Sequence, residues 1–140
     1  MGQQQLLLIA LSVLIVGAAV AVGVNMFNQG AEEAELDKFY QHASFLATNA
    51  TAAYKKPTTM GGLGNDFSTV PTGDVEQACS ALGIKDSTGQ SNVYVSNVEA
   101  GDTDNEIKIT LSDTLEQYTG TFIVDGETGD ISWDTRVSEQ

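Results

Sequence analysis

Leu6 to Val24, LLLIALSVLIVGAAVAVGV, runs for nineteen residues with no charge and a single hydroxyl, Ser12, and it dictates what the rest of the chain must accommodate. As an α-helix it would rise about 28 Å, close to the thickness of a bilayer's hydrocarbon core. Twelve of its residues are Leu, Ile or Val. Leaving them all in water would cost on the order of 20–35 kcal/mol, more than the ~5–15 kcal/mol by which a typical domain is stable. The stretch therefore needs lipid or other apolar surface around it. Its small residues, Ala10, Ser12, Gly17, Ala18, Ala19, Ala21 and Gly23, add nothing to a plain anchor. In lipid no hydrophobic drive acts between helices, and small residues are what let two backbones approach. Gly17 and Gly23 each weaken the helix by about 1 kcal/mol relative to Ala, so the second half of the run is expected to bend or partly unwind once it leaves lipid.

Asn25 to Gly30, NMFNQG, is read as an interruption, with Asn28 a candidate N-cap and Glu32 and Glu33 well placed in the turn that follows. Leu36, Phe39, Ala43, Leu46, Ala50 and Ala53 then recur at alternating spacings of three and four, one apolar stripe of a helix. With no proline before Pro57, the two segments can form a near-continuous helix of about 50 residues that ends at Lys55-Lys56-Pro57. Thr58 to Gly73 reads as a Gly-rich connection tethered by Phe67 and Val70, and Asp74 as the cap of a short helix stopped by Gly83. From Asn92 the period falls to two. Val93 and Val95, then Ile107, Ile109 and Leu111, then Phe122 and Val124, and finally Ile131 and Trp133 mark strands, the last pair joined by a turn at Asp125 to Gly129. The expected fold is α+β: a long N-terminal helix with a three- or four-stranded antiparallel sheet packed on the stripe from Leu36 to Ala53. The expected divisions are 1–30 for the apolar helix, 31–54 for its amphipathic continuation and 55–140 for the head.

The chain of 140 residues leaves roughly 110 beyond the apolar region, enough for one small domain. Its net charge of −13, with only six Lys and Arg, provides no basic stripe for phosphates, so nucleic acid is not an expected partner. Cys79 is the single cysteine, which rules out an internal disulfide and a Cys-based zinc site. No Lys or Arg precedes Lys38, so the basic flank of a secretory signal is missing. Either a basic leader has already been removed or the anchor is kept uncleaved. An acidic domain after the anchor favours an N-in, C-out orientation.

No catalytic constellation is present: the sequence has no P-loop, GxGxxG, HExxH or Ser-His-Asp arrangement. His42 is read as a solvated helix position. Met60 to Gly64 lacks the lysine of a phosphate loop and is read as a flexible connection. Asp102 to Glu106 alternates oxygen ligands but lacks the glycine and distal glutamate of a calcium loop, and is read as an acidic β-turn. Asn49-Ala50-Thr51 is a glycosylation sequon inside a helix. No cofactor or metal is expected, and no enzyme activity.

An apolar N-terminal helix, its amphipathic continuation, a Gly-rich connection and a C-terminal antiparallel sheet, in this order, resemble the type IV pilins and pseudopilins. Likeness at the level of residues covers 1 to about 54. The resemblance implies a subunit held in the inner membrane after a basic leader is cleaved. It would then be extracted by a pilus assembly machinery into a helical filament of identical copies at the cell surface, with the apolar helices in the core and the heads outside. It implies self-assembly through Gln5, Leu6, Leu7, Ile9, Leu11, Val13, Leu14, Val16, Gly17, Ala21 and Gly23. The family's acidic residue at the fifth mature position corresponds to Gln5 if Met1 is the mature start, and its helix-breaking proline has no counterpart here. A single-span anchor carrying a binding head that never polymerises is the alternative, and a membrane-tethered enzyme a third.

Overall fold

With no proline to remove a backbone donor, the i→i−4 hydrogen-bond ladder can continue from the apolar run into the amphipathic one. In a computed structural model of the protein it does, as one helix, α1 (Gly2–Lys55). The structure describes residues 2–84, 93–114 and 118–139, with the backbone alone from 135 to 139. Met1, and Asn92 where the strand period is expected to begin, lie outside the described residues. The interruption expected at Asn25 to Gly30 is absent: every residue there is helical, and Asn28 caps nothing. Gly and Asn cost a helix about 1 kcal/mol or less each, too little to break one that is extended on both sides.

The chain divides into two compact units between Leu36 and Asp37, six residues later than the expected boundary at residue 30. The first unit is helix alone. The second begins inside α1 and contains every other element: 3-10 turns at Thr58–Met60 and Phe67–Thr69, a short helix α2 (Val75–Ala81), and strands β1 (Val93–Ala100), β2 (Glu106–Asp113), β3 (Tyr118–Asp125) and β4 (Ile131–Glu139). The strands form an antiparallel meander in the order β1-β2-β3-β4, as short connections between consecutive strands favour.

Register aligns the apolar residues into rows across the sheet. Val98, Ile109, Phe122 and Trp133 make one row, Ala100, Ile107, Val124 and Ile131 the next. The register shift between Val95 and Asn97 lets both Val95 and Val98 point inward although they are three apart. This face shares one core with Phe39, Ala43, Leu46, Ala50 and Ala53, all buried as the stripe predicts, while Leu36 is only half-buried. Ala47 and Tyr54 join the core too. The opposite face of the sheet carries hydroxyls that satisfy one another: Thr110 and Thr121 Oγ1 lie 3.0 Å apart, and Ser112 Oγ donates to Ser96 Oγ at 3.1 Å.

The Gly-rich segment is an ordered cap and not a loose connection. The amides of Leu63, Asn65 and Gly64 donate to the carbonyls of Ala53, Tyr54 and Lys56, satisfying the acceptors that a helix end leaves bare. Gly62 sits so close to Lys56 that a Cβ there would lie 2.1 Å from its carbonyl oxygen, so only glycine fits. Leu63, Phe67 and Val70 are buried beneath the loop. Asp74 caps α2, its carboxylate accepting from the amides of Glu76 at 3.1 Å and Gln77 at 3.3 Å.

Candidate assembly surface

Every residue of α1 from Gly2 to Ala34 is exposed. For the apolar ones this inverts the usual arrangement: Leu14 is 70% exposed and Phe27 77%. Gln5, Leu6, Leu7, Ile9, Leu11, Val13 and Val16 are exposed with them, as are Gly17, Ala21 and Gly23, and no part of the described chain covers any of them. The helix is long and apolar enough to cross a membrane. Its one hydroxyl asks nothing of its surroundings, because Ser12 Oγ donates to the Ile9 carbonyl at 2.8 Å. That is the arrangement an apolar medium requires.

Two properties set this surface apart from a uniform apolar rod. Gly17 and Ala21 lie one turn apart on the same side, where two backbones can come close. A Cβ added at Gly17, Gly23 or Gly30 would meet nothing within 4 Å, so no contact among the described residues demands glycine at these positions.

His42, expected to be solvated, is half-buried; its Nε2 is shut off from water with no hydrogen-bond partner, and the ring stacks on Phe45 at 6.5 Å. It lies one position before the buried Ala43, at the margin of the core. Burial lowers its pKa from the usual 6.5. Cys79 is buried, and burial raises its thiol pKa. Among the described residues no group of three or more His, Cys, Asp or Glu side chains could hold a metal ion. Asp102 to Glu106 closes the β1–β2 turn through Glu106 N–H to the Thr103 carbonyl, and Asp102 pairs with Lys108 at 3.4 Å. Asn49 of the sequon is half-buried in α1, and the Thr51 hydroxyl is committed to the Ala47 carbonyl.

What the sequence does not signal is the construction around Tyr54. Its hydroxyl donates to Asn105 Oδ1 at 2.8 Å, its ring packs on Phe67 at 4.8 Å, and Gly126 lies against it. The Gly126 amide donates to the Asn105 carbonyl and the Phe67 amide to that of Asp104. One aromatic side chain thereby ties the end of α1, the capping loop and two sheet turns together. The only sequence trace is a large aromatic beside the stripe residue Ala53. No family model, curated protein sequence or solved structure matches this chain.

Proposed function

We propose that the chain is the structural subunit of a type IV pilus-like extracellular filament. It is held in the inner membrane before assembly and packs against identical copies through Leu6 to Val24 afterwards. The observation that carries this reading is the apolar surface of Leu6 to Phe27, which the chain's own fold leaves bare. Lipid alone would satisfy that surface. Glycines at 17 and 23 that no contact among the described residues calls for favour a second shelter in which helix backbones approach one another. An α+β head whose sheet is packed on the continuation of the same helix is the architecture that the pilin resemblance implies.

Electron microscopy of material sheared from the cell surface tests the reading. The wild-type chain gives filaments, and Val16→Asp, which places a charge on the shared surface, gives none. Filaments from Val16→Asp at wild-type yield, or a wild-type chain that stays in the membrane fraction as an anchored monomer on cells that assemble no fibres from it, would overturn it.

A further inference from the structure

Within the head, the side of α1 turned away from its buried stripe carries Gln41, Phe45, Thr48 and Ala52 at spacings of four, three and four, all exposed. A helix side that faces water ordinarily bears charged side chains. This one bears none. The chain has 19 carboxylates, yet none falls between Asp37 and Asp66, and from Phe39 to Tyr54 there is no Lys or Arg either. Glu127 and Asp130 flank Gly129 on the opposite wall of the cleft that Thr48 and Ala52 line, and belong to the β3–β4 turn and not to the helix. Phe45 is 61% exposed, more than any other aromatic side chain described in the head. The Thr48 hydroxyl is met inside the helix by the Ser44 carbonyl at 2.8 Å, just as Ser12 is met by that of Ile9 in the apolar run.

An uncharged helix side of this kind suits burial against another uncharged surface. One large apolar side chain among small ones gives little grip on lipid, whereas Thr48 and Ala52 let a second helix come close. The described chain leaves one uncharged helical stretch bare. Every large apolar side chain from Leu6 to Phe27 is exposed, while the head adds only Tyr40, Phe45, Met60 and Ile131. We propose that in the filament Leu6 to Val24 of a second copy lies along this side of α1, with Phe45 set between its side chains. The contact rests on the filament reading and deepens it: one flank of the apolar run meets other apolar runs, and another flank meets the head helix of a staggered neighbour.

Photo-crosslinking in filaments of the full-length chain tests it. With p-benzoylphenylalanine in place of Phe45, irradiation of sheared filaments is expected to give covalent dimers whose adducts map by mass spectrometry to Leu6 to Val24 of the other copy. Independently, Phe45→Glu lowers filament yield several-fold and leaves the melting temperature of the head nearly unchanged, the side chain being exposed, whereas Phe45→Leu keeps the yield. Adducts confined to head residues or to lipid, or wild-type yield from Phe45→Glu, overturn the contact and leave the apolar reading intact. A chain that assembles no filaments at all overturns both. The same adducts between copies in membranes without filaments support the contact and sink the filament.

Discussion

Tyr54 and Asn105, fifty-one positions apart, are joined by a 2.8 Å hydrogen bond from the phenol to the amide oxygen. Both residues belong to the head, and the bond links the end of α1 to the turn before β2. Removing the hydroxyl with Tyr54→Phe leaves a half-buried Asn105 acceptor unmet. The expected loss is about 1–2 kcal/mol, or several degrees in melting temperature for a unit this size. Circular dichroism melts of Tyr54→Phe, Asn105→Ala and the double variant check it, because the two losses should be non-additive.

The same phenol sets an alkaline limit. Its pKa is raised above 10.0 by burial and by the carboxylates of Glu127, Asp125 and Asp66. A proton held more tightly in the folded state gives stability that is complete below the unfolded pKa and falls as pH rises through the folded one. Wild-type head should therefore lose stability above about pH 10 more steeply than Tyr54→Phe does, which denaturant melts at pH 9 and 11 would show.

Glycines in the two units should respond differently to an added side chain. At Gly126 a Cβ would fall 2.4 Å from the Tyr54 ring, so Gly126→Ala must push that ring aside, at a cost of about 1–3 kcal/mol. At Gly17 the space is open, so Gly17→Leu should leave the melting temperature of the head unchanged while reducing filament yield. A head destabilised by Gly17→Leu, or unaffected filaments, would count against the assignment of that surface.

His42 gives the head an acid sensitivity. Its folded pKa is lowered by burial, so its contribution is present above the unfolded value of 6.5 and is lost as pH falls through the folded one. Asp125 acts lower down: amides of Thr128 and Glu127 hold its carboxylate below 3.8, so its contribution persists above that value and disappears as pH drops through the folded pKa. Stability measured between pH 7 and 5 should flatten in His42→Leu, whereas Asp125→Asn should lower stability throughout that range and soften the fall only below about pH 4.

Periodicity made the helix, its buried stripe and all four strands readable in advance, because one wet and one dry face impose a repeat of 3.6 or of two. Leu46 and Ile109 are fully buried where those repeats put them. What escaped has no period. The bulge at Ser96 shifts the phase and so conceals Val98, and the capping role of Met60 to Gly64 depends on where the carbonyls of α1 end. Asn25 to Gly30 misled for the opposite reason: local propensity suggested a break that helical continuity on both sides overrides. The candidate surface itself was plain from composition, since nineteen uncharged residues announce their need for shelter. The contacts around Tyr54 could not be read, because they join residues distant in the chain.

The central claim, that Leu6 to Val24 is buried first by lipid and then by identical neighbours, is tested most directly by electron cryomicroscopy of fibres sheared from cells that express the chain. The account predicts a fibre core of α1 helices packed on one another through Leu6 to Val24, with the small residues Gly17 and Ala21 at the closest approaches. Fibres whose core contains none of this helix, while the protein itself is recovered as single copies surrounded by detergent or lipid, would contradict it.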